Sequence, residues 1–192
     1  MTHLDREDTL VAAAASGDPA AFAQLYTHYR DSVYGFVYRM LNQPSISEDI
    51  THEVFLTWIR RPQSYDPSKA GLLTFFCTIA RRRIIDQLRR NGNSVEKELS
   101  DEDVASSFIQ SHEANPFEKL IQAEVAGLVE KAVASLPASQ REVVLLREYE
   151  GLSYTEIAGV IGSSVEVVKA RLYRARRLLA AQLQPLLRSN GV

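Results

Sequence analysis

Apolar residues recur three and four positions apart along most of this chain and two-residue alternation is rare, so the sequence predicts an all-α protein. Phe22, Leu25, Tyr26, Tyr29, Val33, Phe36, Val37 and Met40 form one stripe of a helix from Pro19 to Leu41. A break is expected at Asn42 to Ser45. Ser47 then caps a second helix, with Glu48 and Asp49 near its positive end and Ile50, Val54 and Trp58 on its apolar face. Pro62 to Gly71 reads as a loop. A third helix, Leu72 to Arg90, buries Leu73, Phe76, Ala80, Ile84 and Leu88, leaves its arginines on the flanks, and ends at Asn91 to Asn93.

From Ser94 to Asn115 Ser, Glu, Asp and Asn dominate and large apolar groups are few, the composition of a flexible acidic linker. Periodicity resumes after Pro116 with Leu120, Val125, Leu128 and Val129. Pro137 marks another helix start, Val143, Val144 and Leu146 extend the core, and four short helices fit the remainder. The expected architecture is two small helical domains. Residues 1–18 form an N-terminal tail and helix start, 19–93 the first domain, 94–116 the linker, and 117–188 the second domain.

Composition narrows the class. With 192 residues, 45% hydrophobic and 24% charged, the chain can bury real cores and should be globular. Apolar runs fall short of bilayer-spanning length and Met1 to Asp8 is too charged for a signal peptide, so a cytoplasmic location without membrane insertion is expected. Cys77 is the single cysteine, and His3, His28, His52 and His112 lack metal-ligand spacing, so neither a disulfide nor any cofactor is expected. There is no P-loop pattern, no Ser-His-Asp arrangement and no defined carboxylate pair, which argues against an enzyme.

The net charge of -2 conceals a segregation of charge. Arg81, Arg82, Arg83, Arg89 and Arg90 meet only Asp86 in their segment. Lys169, Arg171, Arg174, Arg176 and Arg177 form a second basic cluster, and the stretch from Glu96 to Glu118 between them is acidic. That acidity suggests that the free protein holds its basic surfaces in check.

The second cluster lies in a helix-turn-helix. Ser153 with Glu156 makes a capping box, Ile157, Ala158 and Ile161 supply the buried side of a short helix, and Gly162 ends it. Ser163 with Glu166 makes another capping box one turn later, so a tight bend joins two helices. A rotation of about 100° per residue puts Val165, Val168, Leu172, Ala175 and Leu179 inward, and Glu166, Ala170, Tyr173, Arg174 and Arg177 outward. Lys169 and Arg171 occupy the shoulders. This arrangement suits a recognition helix in the major groove, with Lys169, Ala170, Tyr173 and Arg174 near base edges and Arg171, Arg176 and Arg177 near phosphates. A basic stripe alone would be better read as a solvated face; the doubled capping box and Gly162 turn the balance toward DNA.

In the first domain Thr74, Phe75 and Phe76 precede Arg81, Arg82 and Arg83, a mixture suited to stacking unpaired bases and holding their backbone. From these residues alone, packed phenylalanines and solvated arginines remain the preferred reading. The longer pattern is recognisable. Asp49-Ile-Thr-His-Glu-Val-Phe-Leu56, Tyr65 with Asp66, and Leu73-Thr-Phe-Phe-Cys-Thr-Ile-Ala-Arg81 closely resemble region 2 of bacterial sigma factors. Leu136-Pro137, Leu145-Leu-Arg-Glu148, Gly151 to Ala158 and Val168 to Arg176 resemble their region 4. The absence of a further domain between them resembles the extracytoplasmic-function (ECF) subgroup.

The resemblance implies a nonenzymatic subunit that binds core RNA polymerase and directs it to promoter DNA. It implies that Asp49, Glu53 and Phe55 dock on the clamp coiled coil of the polymerase's largest subunit. It places Tyr65 and Lys69 in the loop that captures a flipped base of the -10 element, with Phe75, Arg81, Arg82 and Arg83 along that strand. It assigns Lys169, Ala170, Tyr173 and Arg174 to the -35 element, and an anti-sigma factor is a common further partner of the group. The rival expectation is a dimeric helix-turn-helix regulator on a palindromic operator, which leaves the region 2 resemblance unexplained.

Overall fold

The computed structural model describes residues 3–90 and 119–189. Among them are eight α-helices: α1 (His3–Ala15), α2 (Pro19–Leu41), α3 (Pro44–Arg60), α4 (Leu72–Arg90), α5 (Lys119–Ala134), α6 (Ala138–Val144), α7 (Tyr154–Ile161) and α8 (Val165–Ser189). A 3₁₀ turn, Pro62–Ser64, follows α3, and a π turn, Leu145–Tyr149, prolongs α6. The linker expected at 94–116 lies outside the described residues.

Local chemistry explains the boundaries of α2. Pro19 stands at its first position, and the Asp18 carboxylate accepts from the backbone N–H of Ala20 at 2.8 Å and of Ala21 at 3.3 Å. Asn42 ends it in the left-handed conformation, φ 52°, which Asn tolerates better than most residues.

Three expectations are corrected. The first eighteen residues are not merely a tail: α1 packs on α2, burying Ala14, and the buried Tyr29 hydroxyl hydrogen-bonds Glu7. The second helix begins at Pro44, because proline is favoured in a first turn, and not behind a cap at Ser47. Ser47 is instead fully buried inside α3, where its hydroxyl donates to Gln43 O at 2.7 Å, and Thr51 donates to Ser47 O at 2.7 Å. The third correction concerns α8, a long helix of 25 residues where a short one was expected.

The first domain is held by aromatic packing between α2, α3 and α4. Phe76 is fully buried and meets Tyr29, Phe55 and Trp58 at ring-centroid distances of 5.7, 4.8 and 5.7 Å. Leu72, Thr74, Cys77, Ala80 and Ile84 complete the buried side of α4; Leu73 and Leu88, expected in the core, are only partly covered. In the second domain Leu136, Val143, Leu145, Leu146, Ile157, Val168 and Leu172 fill the space between α6, α7 and α8. These two sets join in one contiguous buried cluster, because α4 packs on α7 and α2 on α6 and its π turn.

Phe76→Ala should remove about 3–5 kcal/mol of unfolding free energy in a denaturant titration followed by circular dichroism. Leu56→Ala, at a side chain 45% exposed on α3, should stay within about 0.5 kcal/mol of the parent.

Candidate nucleic-acid interface

The turn between α7 and α8 is assembled from two caps and one glycine. Ser153 Oγ accepts from the Glu156 N–H at 3.2 Å while Glu156 Oε2 accepts from the Ser153 N–H at 2.9 Å, so the expected capping box is formed. Gly162 closes α7 at φ 65°, ψ 41°, a left-handed geometry that glycine adopts without a Cβ penalty, and Ser163 N–H donates to Ala158 O at 3.0 Å. The second cap belongs to Ser164 and not Ser163: Ser164 Oγ accepts from Val167 N–H at 3.4 Å, one residue later than expected, since α8 begins at Val165.

On α8 the inward side follows the expected stripe, with Val168, Leu172 and Ala175 buried and Val165 and Leu179 partly so. Lys169, Arg176 and Arg177 are exposed; Tyr173 and Arg174 are half-buried. Arg177 lies over the Tyr173 ring at 5.9 Å, and Arg176 pairs with Glu148 of the π turn at 3.0 Å. Two residues depart from the helical wheel. Ala170, assigned to the outer face, is 8% exposed, and Arg171, assigned to a phosphate-facing shoulder, is 6% exposed. Contacts outside the helix decide this, as Arg171 faces the buried Glu142 of α6.

On the first domain the loop before α4 is organised by Asp66, which accepts from Ser68 N–H at 3.1 Å and Ser68 Oγ at 2.7 Å and pairs with exposed Lys69 at 3.1 Å. Ser68 and then Lys69 hold the Asp66 carboxyl below the usual carboxylate range. Tyr65 and Phe75, both partly covered, pack at 5.3 Å and leave an aromatic ledge beside this loop. Arg82 and Arg83 are exposed along α4, Arg83 reaching Glu53 of α3 at 3.3 Å. Arg81 does not join them: its Nε donates to Glu142 of the second domain at 2.5 Å.

On α3, Asp49 and Glu53 are exposed beside Leu56 and Ile59, which are 45% and 40% exposed. Phe55, assigned to the same docking surface, is a correction. It is 1% exposed and meets Tyr26 at 4.8 Å, so the fold leaves it nothing to present; Leu56, one residue on, takes the outward position.

Sequence reasoning missed the acids between the domains. Glu156, besides capping α7, accepts from Thr74 Oγ1 of α4 at 3.0 Å through its other carboxylate oxygen. Burial pushes its carboxyl up, but hydrogen bonds from Ser153 and Thr74 more than offset this and leave it below the usual range. Glu142 is 1% exposed. One signal was available: Glu142 lies one turn before Leu146, on the side of α6 that the apolar residues bury.

An all-α chain with a helix-turn-helix, a basic recognition helix and a second domain bearing an aromatic ledge and exposed arginines defines a two-domain nucleic-acid-binding protein. Residues 25–94 match the family model described as Sigma-70 region 2, and residues 126–179 that described as Sigma-70, region 4. The chain is 30% identical over 176 residues to the ECF RNA polymerase sigma factor SigK of Mycobacterium tuberculosis, covering 90% of both. It is also 30% identical over 165 residues to SigK of Mycobacterium sp. (strain KMS), covering 86% of this chain and 84% of that one. The chain therefore belongs to the ECF group of the sigma-70 family. Its fold is similar to that of the sigma factor RpoE in complex with the anti-sigma factor NepR from Bartonella quintana, with TM-score 0.62, 23% identity, and 85% of this chain and 96% of that one covered. It is likewise similar to CnrH in complex with the cytosolic domain of CnrY, with TM-score 0.65, 23% identity, and coverage of 95% and 97%.

Because the Glu156 pKa is depressed in the folded state, its ionised form contributes stability above the unfolded value, and that contribution is lost as pH falls through the folded pKa. Glu156→Ala should therefore cost about 1 kcal/mol at neutral pH. In urea titrations across pH, the gap between parent and variant should close in acid below the usual carboxylate range; a gap that stays constant would show that the carboxylate charge contributes nothing.

Proposed function

We propose that this chain joins core RNA polymerase and reads a promoter at two points, with α8 on the -35 duplex and the Tyr65 to Arg83 segment on the melted -10 strand. The single observation that carries the reading is the matching of both sigma regions, in order, on one chain whose helix-turn-helix presents Lys169, Tyr173 and Arg174. Lys169, Tyr173 and Arg174 act on base edges, where one good bidentate contact is worth roughly 1–3 kcal/mol of discrimination. Arg176 and Arg177 hold phosphates, fixing the register without reading sequence.

Extruding a base costs a few kcal/mol of stacking and pairing, and each base stacked on an aromatic surface recovers about 1–3 kcal/mol. The ledge of Tyr65 and Phe75 supplies such stacking, with Lys69, Arg82 and Arg83 along the backbone. Strand capture of this kind needs no nucleotide hydrolysis, so the chain acts by binding and performs no catalysis. Asp49 and Glu53, flanked by exposed Leu56 and Ile59, form the face of α3 that meets the clamp coiled coil of the polymerase. An anti-sigma factor is a second protein partner to be sought, in line with the complexes formed by the two similar structures.

The test is run-off transcription by purified core polymerase on a broad template library, with and without this chain. Specific transcripts that depend on the chain are expected; their complete absence would sink the reading. In binding titrations of the assembled complex, Arg176→Ala should reduce the log-log salt slope by about 0.9. Lys169→Ala or Arg174→Ala should instead relax base preference within the -35 element, at roughly 1–3 kcal/mol for the preferred base pair.

A further inference from the structure

The first helix takes no part in the two-point reading, yet it borders the aromatic ledge. Glu7 of α1 is half-buried, and its carboxylate accepts from the hydroxyl of Tyr29, whose ring packs on Phe76, the neighbour of Phe75. Tyr65, whose ring meets Phe75 at 5.3 Å, brings its hydroxyl toward the same acid. Burial pushes this hydroxyl up, and the negative charges of Glu7, then Asp8 and Asp66, push it the same way.

The ledge is therefore electrically two-sided. Exposed Lys69 stands on the loop before α4, and exposed Arg82 follows Phe75 by two helical turns on the same face, about 10 Å along the axis. Carboxylates stand on the α1 side. A nucleotide laid on the ledge turns its phosphate toward the cations, because the acids repel it, and that leaves the base edge for α1. A base edge that meets a carboxylate must offer a donor, since a carbonyl oxygen in that place opposes a charged acceptor. Cytosine, adenine and guanine each carry an amino group; thymine carries none.

We infer that Glu7 is a specificity-determining residue of the -10 site, its carboxylate accepting from the amino group of the extruded base and disfavouring thymine there. The inference rests on the promoter-reading proposal for strand capture at the ledge. A carboxylate has roughly four lone-pair sites, so the Tyr29 hydroxyl can hold Glu7 in place and still leave it able to accept from a base. The other acids are poorer readers. Asp66 is engaged by Ser68 and Lys69, and Asp8 is exposed, where water competes for it.

The experiment uses core polymerase with the full chain, on a template chosen in the run-off assay and premelted across its -10 element. Each base of the single strand is varied in turn, and binding is read by fluorescence anisotropy. At one position thymine and uracil should bind roughly tenfold more weakly than cytosine, uracil showing that the thymine methyl is not the cause. Pyrimidin-2-one, which lacks only the amino group of cytosine, should lose the same factor. Glu7→Gln, whose amide both donates and accepts, should remove the difference between cytosine and uracil, whereas Tyr29→Phe, which removes only the internal hydrogen bond, should keep it. A Glu7→Gln complex that weakens for every base alike and retains the parent preference overturns the assignment, because that is the outcome of a purely structural role in α1.

Should Glu7→Gln disturb the packing of α1, the parent chain decides. Cytosine bearing an aminoethyl group on N4, placed at the selective position and treated with a carbodiimide, should form an amide with Glu7 as water leaves, and peptide mass spectrometry locates the bond. Coupling elsewhere, or none, overturns the assignment. A parent complex that binds no premelted strand overturns promoter reading itself, while one that binds every base alike overturns only the role of Glu7.

Discussion

A carboxylate removed from water needs donors of opposite charge, and the way Glu142 meets that need governs how the two halves of this protein sit together. The donor, Arg81, comes from α4 of the first domain, and the positive charge of Arg171 faces the carboxylate from the recognition helix of its own. Separating the domains would leave Arg81 without this partner. The packing of α4 on α7 and of α2 on α6 thus has a polar pin at its centre.

The same contact explains why one α7 residue has two jobs. Glu156 caps its own helix through one carboxylate oxygen and reaches Thr74 through the other, so the helix-turn-helix is anchored to α4 by the group that starts it. The recognition helix retains Lys169, Arg176 and Arg177 at the surface while Arg171 turns to Glu142. The basic cluster read along the sequence is therefore divided by the fold: one part at the surface, the other turned inward to a buried acid. The acidic stretch between the domains suggested such neutralisation. Among the described residues, the acid that performs it sits inside the second domain.

Helix type and extent were legible wherever a strong apolar period met a clear stop, as in α2 and α4, whose expected limits coincide with those observed. So was the turn of the helix-turn-helix, because a Ser–Glu pair and a glycine specify local geometry irrespective of what surrounds them. Errors fell where two local signals competed. Ser47 could serve as a cap, but Pro44 starts the helix three residues earlier and turns the serine into a buried donor to Gln43. Phe55 shares a helix with the exposed acids, yet the aromatic packing against Tyr26 and Phe76 takes it out of reach of any partner.

By itself the sequence determined an all-helical chain in two parts, the helix-turn-helix and its capping chemistry, and through both ordered motifs the sigma-70 family. These are properties of periods and short spacings, which act within a few turns of chain. Only the tertiary structure decided which cations remain at the surface. Arg81 and Glu142 are sixty-one residues apart in sequence. Nothing in the local pattern of either can report that folding brings them together, because pairing across a domain contact depends on how two separately formed surfaces meet.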